Sequence, residues 1–151
     1  MPQMPPLSDD GLKELLSQPL VGKLATTSAK GDVRVSPIWF HADDAVPAGR
    51  QGTVVMNTWE NTAAVKNLKH NPKCSLLIDT TVFPYHGVHY WGTATIEGPE
   101  NDAAGMAKMF ASYVGSEEQA SAYAKQLIGW GKRVYIRFRP DRKTTWDFRQ
   151  G

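Results

Sequence analysis

The chain has 151 residues, of which 41% are hydrophobic, and a formal net charge of +2 at pH 7. That length suits one domain with a sizeable core, and so small a charge argues against undirected binding to nucleic acid or anionic membranes. A single cysteine, Cys74, excludes an internal disulfide. Together with an N-terminus that has no secretory signal pattern and the lack of any run long enough for a membrane helix, it predicts a cytoplasmic protein.

The start of the chain is predicted to be a flexible, proline-rich arm over residues 1–7, followed by one domain over residues 8–151. Ser8 or Asp9 is a suitable cap for a helix that carries leucines at helical spacing and ends at Pro19. A further helical stretch over residues 101–128 is expected in two pieces, broken near Gly115.

Seven short segments alternate or cluster apolar residues in the manner of β-strands. The predicted strands cover residues 20–28, 33–41, 53–58, 74–81, 87–97, 132–139 and 144–148. A four-residue linker with Gly31 predicts a hairpin between the first two, and residues 45–52 are expected to form a loop. Pro140 is predicted to end the sixth strand.

The fifth strand shows the clearest alternation. One face carries Val88, Tyr90, Gly92, Ala94 and Ile96, a graded apolar row of the kind that fills a small barrel. Helices do not alternate one-for-one with strands, so the pattern predicts a mainly β (α+β) antiparallel barrel with a few peripheral helices rather than a doubly wound sheet.

The segment between the third and fourth strands is a candidate anion site. A short helix here would place free backbone N–H groups at its start. Lys66 and Lys69 lie three residues apart, on one helical face, and could add positive charge. The alternative is that both lysines only complement the negative end of the helix dipole.

Motifs of self-sufficient catalysis are absent from the sequence. There is no nucleophile elbow, P-loop or dinucleotide-binding glycine motif. Zinc would require more thiols, and His86 and His89 fall on opposite faces of a strand, so we predict no metal site. Cys74 is expected to act as a small apolar residue. No catalytic residue is identified, and any enzymatic chemistry would come from a cofactor.

Four local runs, in their order and spacing, resemble a known family. They are residues 22–27 followed by Gly31 and residues 33–40; residues 66–76; residues 85–88 with 92–94; and residues 133–136 with Pro140 and residues 144–148. Together they resemble the flavin-binding split-barrel superfamily, the pyridoxamine phosphate oxidase-like proteins, and are most similar to its deazaflavin-dependent subgroup.

The resemblance implies a homodimer of split β-barrels with Greek-key topology that binds FMN, or alternatively the related deazaflavin coenzyme, between subunits. It implies that the ring system lies beside the second strand, the ribityl chain at the end of the third, and the phosphate at the following helix. The implied cofactor-binding residues are Arg34, Val35, Ser36, Pro37, Ile38, Trp39, Asn57, Thr58, Thr62, Lys66 and Asn67.

One departure from the family pattern concerns the phosphate. Where relatives commonly carry a lysine at the helix start, this chain has Ala63 and Ala64. A lost charge-assisted contact is worth roughly 1.5–3 kcal/mol. Either Lys66, Arg34 or Lys69 compensates, or the site accepts a different or weaker ligand.

The implied activity is hydride transfer between the cofactor and a small conjugated substrate, with Tyr85, His86 and Trp91 on the substrate side. Trp39, Trp59 and Trp130 could also stack on a planar ligand, although barrel aromatics more often form core or interface. One alternative is a non-catalytic flavin- or tetrapyrrole-binding protein. Nucleic-acid binding through the arginines of residues 133–139 is disfavoured by the low net charge.

Overall fold

In the computed structural model, residues 4–43 and 53–150 are described; the predicted loop at residues 45–52 and the first three residues of the predicted arm lie outside that part. The helices are α1 (Asp9–Leu16), α2 (Ala63–His70), α3 (Ala103–Val114) and α4 (Glu117–Trp130). The strands are β1 (Gly22–Thr27), β2 (Val33–Ile38), β3 (Phe40–Asp43), β4 (Thr53–Trp59), β5 (Lys73–Asp79), β6 (His86–Glu97) and β7 (Arg133–Asp147).

All described strand pairs are antiparallel, in the order β2-β1-β5-β6-β7-β4-β3. The two outermost strands, β2 and β3, are separated along the chain by Trp39 alone. Because consecutive Cα atoms are only about 3.8 Å apart, the two edges of the sheet must approach each other. The sheet therefore curls into a half-barrel that is split at Trp39, which confirms the predicted split barrel.

Two predicted strand boundaries were wrong. The expected strand over residues 33–41 is broken at Trp39 into β2 and β3. The expected sixth and seventh strands are one continuous strand, β7, and Pro140 does not end it. Pro140 lies opposite Gly92, where the β6–β7 register shifts. At such a bulge the ladder is already interrupted, so the missing proline N–H costs little.

The barrel interior follows the predicted alternation. Val88, Tyr90 and Ala94 of β6 are buried against Ile136 and Phe138 of β7. α1 contributes its leucines to the same core, and its N-cap Ser8 accepts a hydrogen bond from the Gly11 N–H, as the sequence predicts.

A second apolar cluster lies on the outer face of the sheet. α3 and α4, broken at the left-handed Gly115 as predicted, pack on each other and on Trp39, Trp59 and Tyr135. The Tyr113 hydroxyl joins this helix pair to the split: it donates to the Leu20 carbonyl and accepts from the Phe40 N–H. The helix pair thereby covers one side of the opening in the barrel.

Candidate functional site

A cleft of about 370 Å³ lies at the split, between the β2–β3 corner, the end of β4 and the α3–α4 pair. Its size falls in the range of small-molecule sites. It is lined by Val21, Pro37, Ile38, Trp39, Asn57, Thr58, Trp59, Phe110, Tyr123, Leu127 and Arg133.

Two tryptophans form flat walls of the cleft, and both are held in place. Trp39 stacks on Tyr113 with ring centroids 4.4 Å apart and meets the edge of Phe110 at 5.3 Å. The Trp59 Nε1–H donates to the Leu127 carbonyl at 3.1 Å. Fixed aromatic walls of this kind suit a planar ligand.

The polar end of the cleft contains a buried cation. Arg133 is only 4% exposed, and its Nε donates to Asn57 Oδ1 at 2.9 Å. Its guanidinium carbon lies 4.7 Å from the centroid of the Trp59 ring. Burial lowers the pKa of Arg133 to about 10, so the side chain stays charged at neutral pH.

Asn57 is also buried, at 5% exposure, and its Nδ2 has no hydrogen-bond partner within the described residues. An unsatisfied buried donor is costly, by about 1–3 kcal/mol. A bound acceptor group next to Arg133 would remove that cost.

A comparison with protein families matches residues 8–147 to the family described as pyridoxamine 5'-phosphate oxidase. The chain belongs to the pyridoxamine 5'-phosphate oxidase family. This confirms the resemblance inferred from the four sequence runs. No curated protein sequence matches the chain.

Solved structures share the split-barrel fold of the pyridoxamine 5'-phosphate oxidase family. A conserved hypothetical protein from Mycobacterium tuberculosis is 21% identical, with a TM-score of 0.74 over 99% of this chain and 91% of that one. An F420 reductase is 23% identical, with a TM-score of 0.65 over 87% and 94%. An FAD-binding protein from Mesorhizobium loti is 16% identical, with a TM-score of 0.64 over 94% of both chains.

The implied cofactor residues on and beside β2 and β4 fall into two groups. Five of them line the cleft, namely Pro37, Ile38, Trp39, Asn57 and Thr58. Arg34 and Val35 are exposed on the edge strand β2, with Ser36 half-buried beside them. The end of β2 and the end of β4 therefore line the same cleft, whereas the start of β2 faces solvent.

The implied phosphate residues lie on α2. Thr62 caps the helix by accepting from the Val65 N–H, and Lys66 is exposed one turn later. Asn67 points the other way: it is buried, and its Nδ2 donates to Thr26 Oγ1 at 3.0 Å. That contact gives Asn67 a structural role between α2 and β1.

The implied substrate-side residues lie outside the cleft lining, with Tyr85 and His86 at the far end of the β6–β7 ribbon and Trp91 near its middle. His86 pairs with Asp147, whereas the cleft is near the opposite end of β7, at Arg133. The twelve residues of β6 span about 36 Å at 3.2–3.4 Å per residue. Tyr85, His86 and Trp91 therefore do not line the cleft of their own protomer.

The surroundings of these three residues differ. Tyr85 is exposed, and His86 is buried with Nδ1 unpartnered in the described structure. Trp91 lies between His89, with ring centroids 4.0 Å apart, and Arg142, whose guanidinium carbon is 4.3 Å from the ring centroid. The pKa of His89 is lowered by burial and by Arg142, which favours the neutral imidazole.

Other candidate chemistry is weak in the described residues. Burial raises the pKa of the Cys74 thiol to about 12, which suits an inert apolar residue. No group of described His, Cys, Asp and Glu side chains is arranged to hold a metal ion. A larger open groove of about 530 Å³, between α1, β3 and α3, contains none of the implied site residues.

The sequence reasoning missed Arg133 as part of the site. The sequence offers the arginines of residues 133–139 only as a disfavoured nucleic-acid surface, whereas the structure buries Arg133. The signal that could have found it is the preceding helical stretch, whose apolar residues need a sheet face to cover. Arg133 lies under that cover, beside Trp59.

No helix in residues 4–43 and 53–150 combines the length and the apolar character needed to cross a bilayer.

Proposed function

We propose that this protein is a flavin-type oxidoreductase that binds FMN, or alternatively the deazaflavin coenzyme F420, at the barrel split. It transfers hydride to or from a small conjugated substrate and acts as a homodimer in the cytoplasm. Family membership and the fold shared with an F420 reductase and an FAD-binding protein support the cofactor class. The observation that carries the proposal is the cleft, because it joins the β2 and β4 residues that the family pattern assigns to the cofactor.

The residues present fit such a cofactor. The fixed Trp39 and Trp59 rings offer flat apolar walls, and Asn57 Nδ2 offers an unpartnered donor. Thr58, half-buried at the end of β4, adds a hydroxyl for a polyol chain. These are the few convergent polar groups in a mainly apolar cleft that typify cofactor sites.

When bound, the ring system supplies the hydride chemistry, which no described side chain can supply. The protein's own residues would orient the ring and exclude water. Pro37, Ile38 and Trp39 form one side of the cleft at the strand break, and Phe110 and Leu127 of the helix pair form the other. Rigid packing of both sides limits the orientations that a flat ligand can adopt.

A second protomer completes this proposal. Tyr85 and His86 lie roughly one ribbon length from the cleft of their own chain, and Trp91 lies at mid-ribbon, so a partner subunit would have to bring them to a bound ring. The exposed apolar side chains of Val33, Val35 and Phe83 provide surface for that contact.

The test is titration of the purified protein with FMN and with F420, followed by ligand fluorescence. We expect one of the two compounds to bind with micromolar or tighter affinity, at one ligand per protomer. Trp39→Ala should weaken binding, whereas Trp130→Ala, on the exposed end of α4, should not. Failure of both compounds to bind would refute the proposal.

Turnover separates the enzyme from a carrier. With a bound cofactor, reduction by a nicotinamide donor or a sugar phosphate system and reoxidation by a conjugated acceptor support the oxidoreductase. Tight binding without any reduction, or binding of a tetrapyrrole in place of both flavins, would instead support the non-catalytic alternative.

A further inference from the structure

We infer that Arg133, held by Asn57, binds the anionic group of a flat aromatic ligand in the cleft. The inference deepens the proposed function and rests on it, since it takes the same cleft as the ligand site. It assigns the ligand a class, planar and anionic, and assigns most of the recognition of the anion to a residue of β7, with the exposed Lys66 of α2 contributing little.

The first support is a buried charge without a counter-ion. Arg133 is 4% exposed; its Nε donates to Asn57 Oδ1, and its guanidinium lies over the face of Trp59. Tyr123 is close enough to interact with it electrostatically, but no carboxylate among the described residues pairs with it. The carboxylates that form described ion pairs are Asp79, Glu97 and Asp147, and each pairs with a different cation. Buried charges are normally paired, because removing them from water is expensive.

The second support is that the remaining hydrogen-bond donors of Arg133 and Asn57 lie at the same end of the cleft. Nε of Arg133 is used by Asn57, which leaves the two terminal nitrogens of the guanidinium as donors in the cleft lining. Asn57 Nδ2 is a further buried donor without a partner. Three donor nitrogens from two side chains therefore have no acceptor among the described residues at this end of the cleft, and a carboxylate or phosphate accepts such a set.

The third support is the shape and polarity of the remaining lining. Trp39, Trp59, Phe110 and Leu127 make the rest of the cleft apolar and partly aromatic. A ligand that satisfies both parts has a flat apolar body and one negative group.

A purely structural arginine fits these observations less well. A long apolar side chain would pack on Trp59 equally and would avoid the desolvation of a charge. The hydrogen bond to Asn57 orients the guanidinium, but it does not neutralise it.

Binding assays with matched anionic and neutral ligands test the inference, with quenching of tryptophan fluorescence as the readout. FMN and riboflavin differ by the phosphate, and 2-naphthoate and 2-naphthamide differ by the carboxylate charge. The first pair tests a cofactor phosphate as the source of the anion, and the second tests a substrate carboxylate. We expect the wild-type protein to prefer the anion in at least one pair by roughly tenfold or more.

Arg133→Met keeps a long side chain and removes the charge. It should abolish that preference by weakening the binding of the anionic ligand while leaving the binding of the neutral ligand unchanged. Arg139→Met is the matched control: it lies on the same strand and is exposed, and it should retain the preference. Both variants are first compared with the wild type by circular dichroism and thermal unfolding. If Arg133→Met does not fold, the wild-type preference decides the outcome.

Equal wild-type binding of the anionic and neutral members of both pairs would overturn the inference, as would an unchanged preference in folded Arg133→Met. Absence of binding by both FMN and F420, together with an Arg133-dependent preference for 2-naphthoate, would refute the cofactor proposal and keep this one. FMN and riboflavin binding equally well, with no preference for 2-naphthoate, would do the reverse.

Discussion

At the scale of single residues, the two cations assigned to the anionic group of the ligand differ in their surroundings. Arg133 is buried, whereas Lys66 is exposed on α2, one turn after the N-cap Thr62. Electrostatic contacts in water-exposed positions are worth about 0.2–1 kcal/mol, and those of buried charges considerably more. The contribution of each cation to ligand affinity should differ accordingly.

Lys66→Ala should therefore weaken cofactor binding by only about two- to fivefold, the equivalent of one exposed ionic contact. Folding should be unaffected, because the side chain lies on the solvated face of α2. Fluorescence titration of FMN measures the effect, with Lys108→Ala, another exposed helical lysine, as control. Identical affinities for all three proteins would show that the phosphate does not lie near the start of α2.

Asp147 offers a prediction about pH. It is buried at the end of β7, and Arg149 donates to it through Nε at 2.8 Å and Nη2 at 2.9 Å. These bonds hold the pKa of Asp147 well below its ordinary value. A carboxyl with a lowered folded-state pKa stabilises the fold above its unfolded pKa, near 3.9, and loses that contribution as the pH falls through the folded value.

Asp147→Asn should accordingly lower the free energy of unfolding by about 1 kcal/mol at neutral pH, a modest value because Arg149 is exposed to solvent. The difference from wild type should be constant from pH 7 to pH 5 and should shrink below about pH 4. Urea unfolding at several pH values measures it. A difference that already changes between pH 7 and pH 5 would contradict this assignment.

At the scale of elements, the bulge in the β6–β7 ribbon decides how β7 continues past Pro140. Gly92 faces Pro140 there, and a Cβ on Gly92 would overlap the carbonyl of Arg139. The close approach of two backbones requires glycine, independent of any positive φ. A bulge of this kind bends the ribbon locally.

Gly92→Ala should destabilise the protein by about 2 kcal/mol or more, since the obstructing atoms are backbone and cannot move aside cheaply. Gly129→Ala is the matched control. It lies in α4, where a Cβ would meet nothing within 4 Å, and it should stabilise the protein by about 0.5–1 kcal/mol. Thermal unfolding measures the stability of both variants. If Gly92→Ala changes the stability no differently from Gly129→Ala, the bulge does not lie at Gly92.

Elements with one dominant local signal could be predicted from the sequence. The alternation of β6, the leucine spacing of α1 and the break at Gly115 each fixed an element that the structure confirms. The break at Trp39 could not be predicted, because β-type residues continue through it and only the closing of the sheet separates β2 from β3. The prediction that Pro140 ends a strand was wrong for the same reason. The strand continues through Pro140 because Gly92, which is distant in sequence, lies opposite it at the bulge.

The candidate site was predictable only in part. The family pattern gave the residues of β2 and β4 that line the cleft. The contribution of Arg133 depends on how α3 and α4 pack over the sheet. The apolar residues of these helices indicate that they cover a sheet face, but not which residues of that face they bury. The same packing sets which lysines and arginines are buried and which are solvated.

At the scale of the whole molecule, the closing of the sheet leaves apolar side chains outside. Val33 and Val35 lie on one face of the edge strand β2 and are 71% and 62% exposed, and Phe83, in the turn before β6, is 78% exposed. An uncovered apolar edge strand is a liability that proteins usually avoid. A second protomer would cover it and would bring its Tyr85, His86 and Trp91 towards the cleft.

We therefore expect the wild-type protein to sediment at twice the 16.7 kDa mass of the chain. Val33→Glu should shift it to the single-chain mass, because burying the introduced charge in the interface costs several kcal/mol. Cofactor binding should weaken at the same time, although Val33 is outside the proposed cofactor set. Ala122→Glu, on the exposed face of α4, should change neither property. A wild-type protein that stays monomeric at every concentration in analytical ultracentrifugation, yet binds cofactor, would show that one protomer forms the site alone.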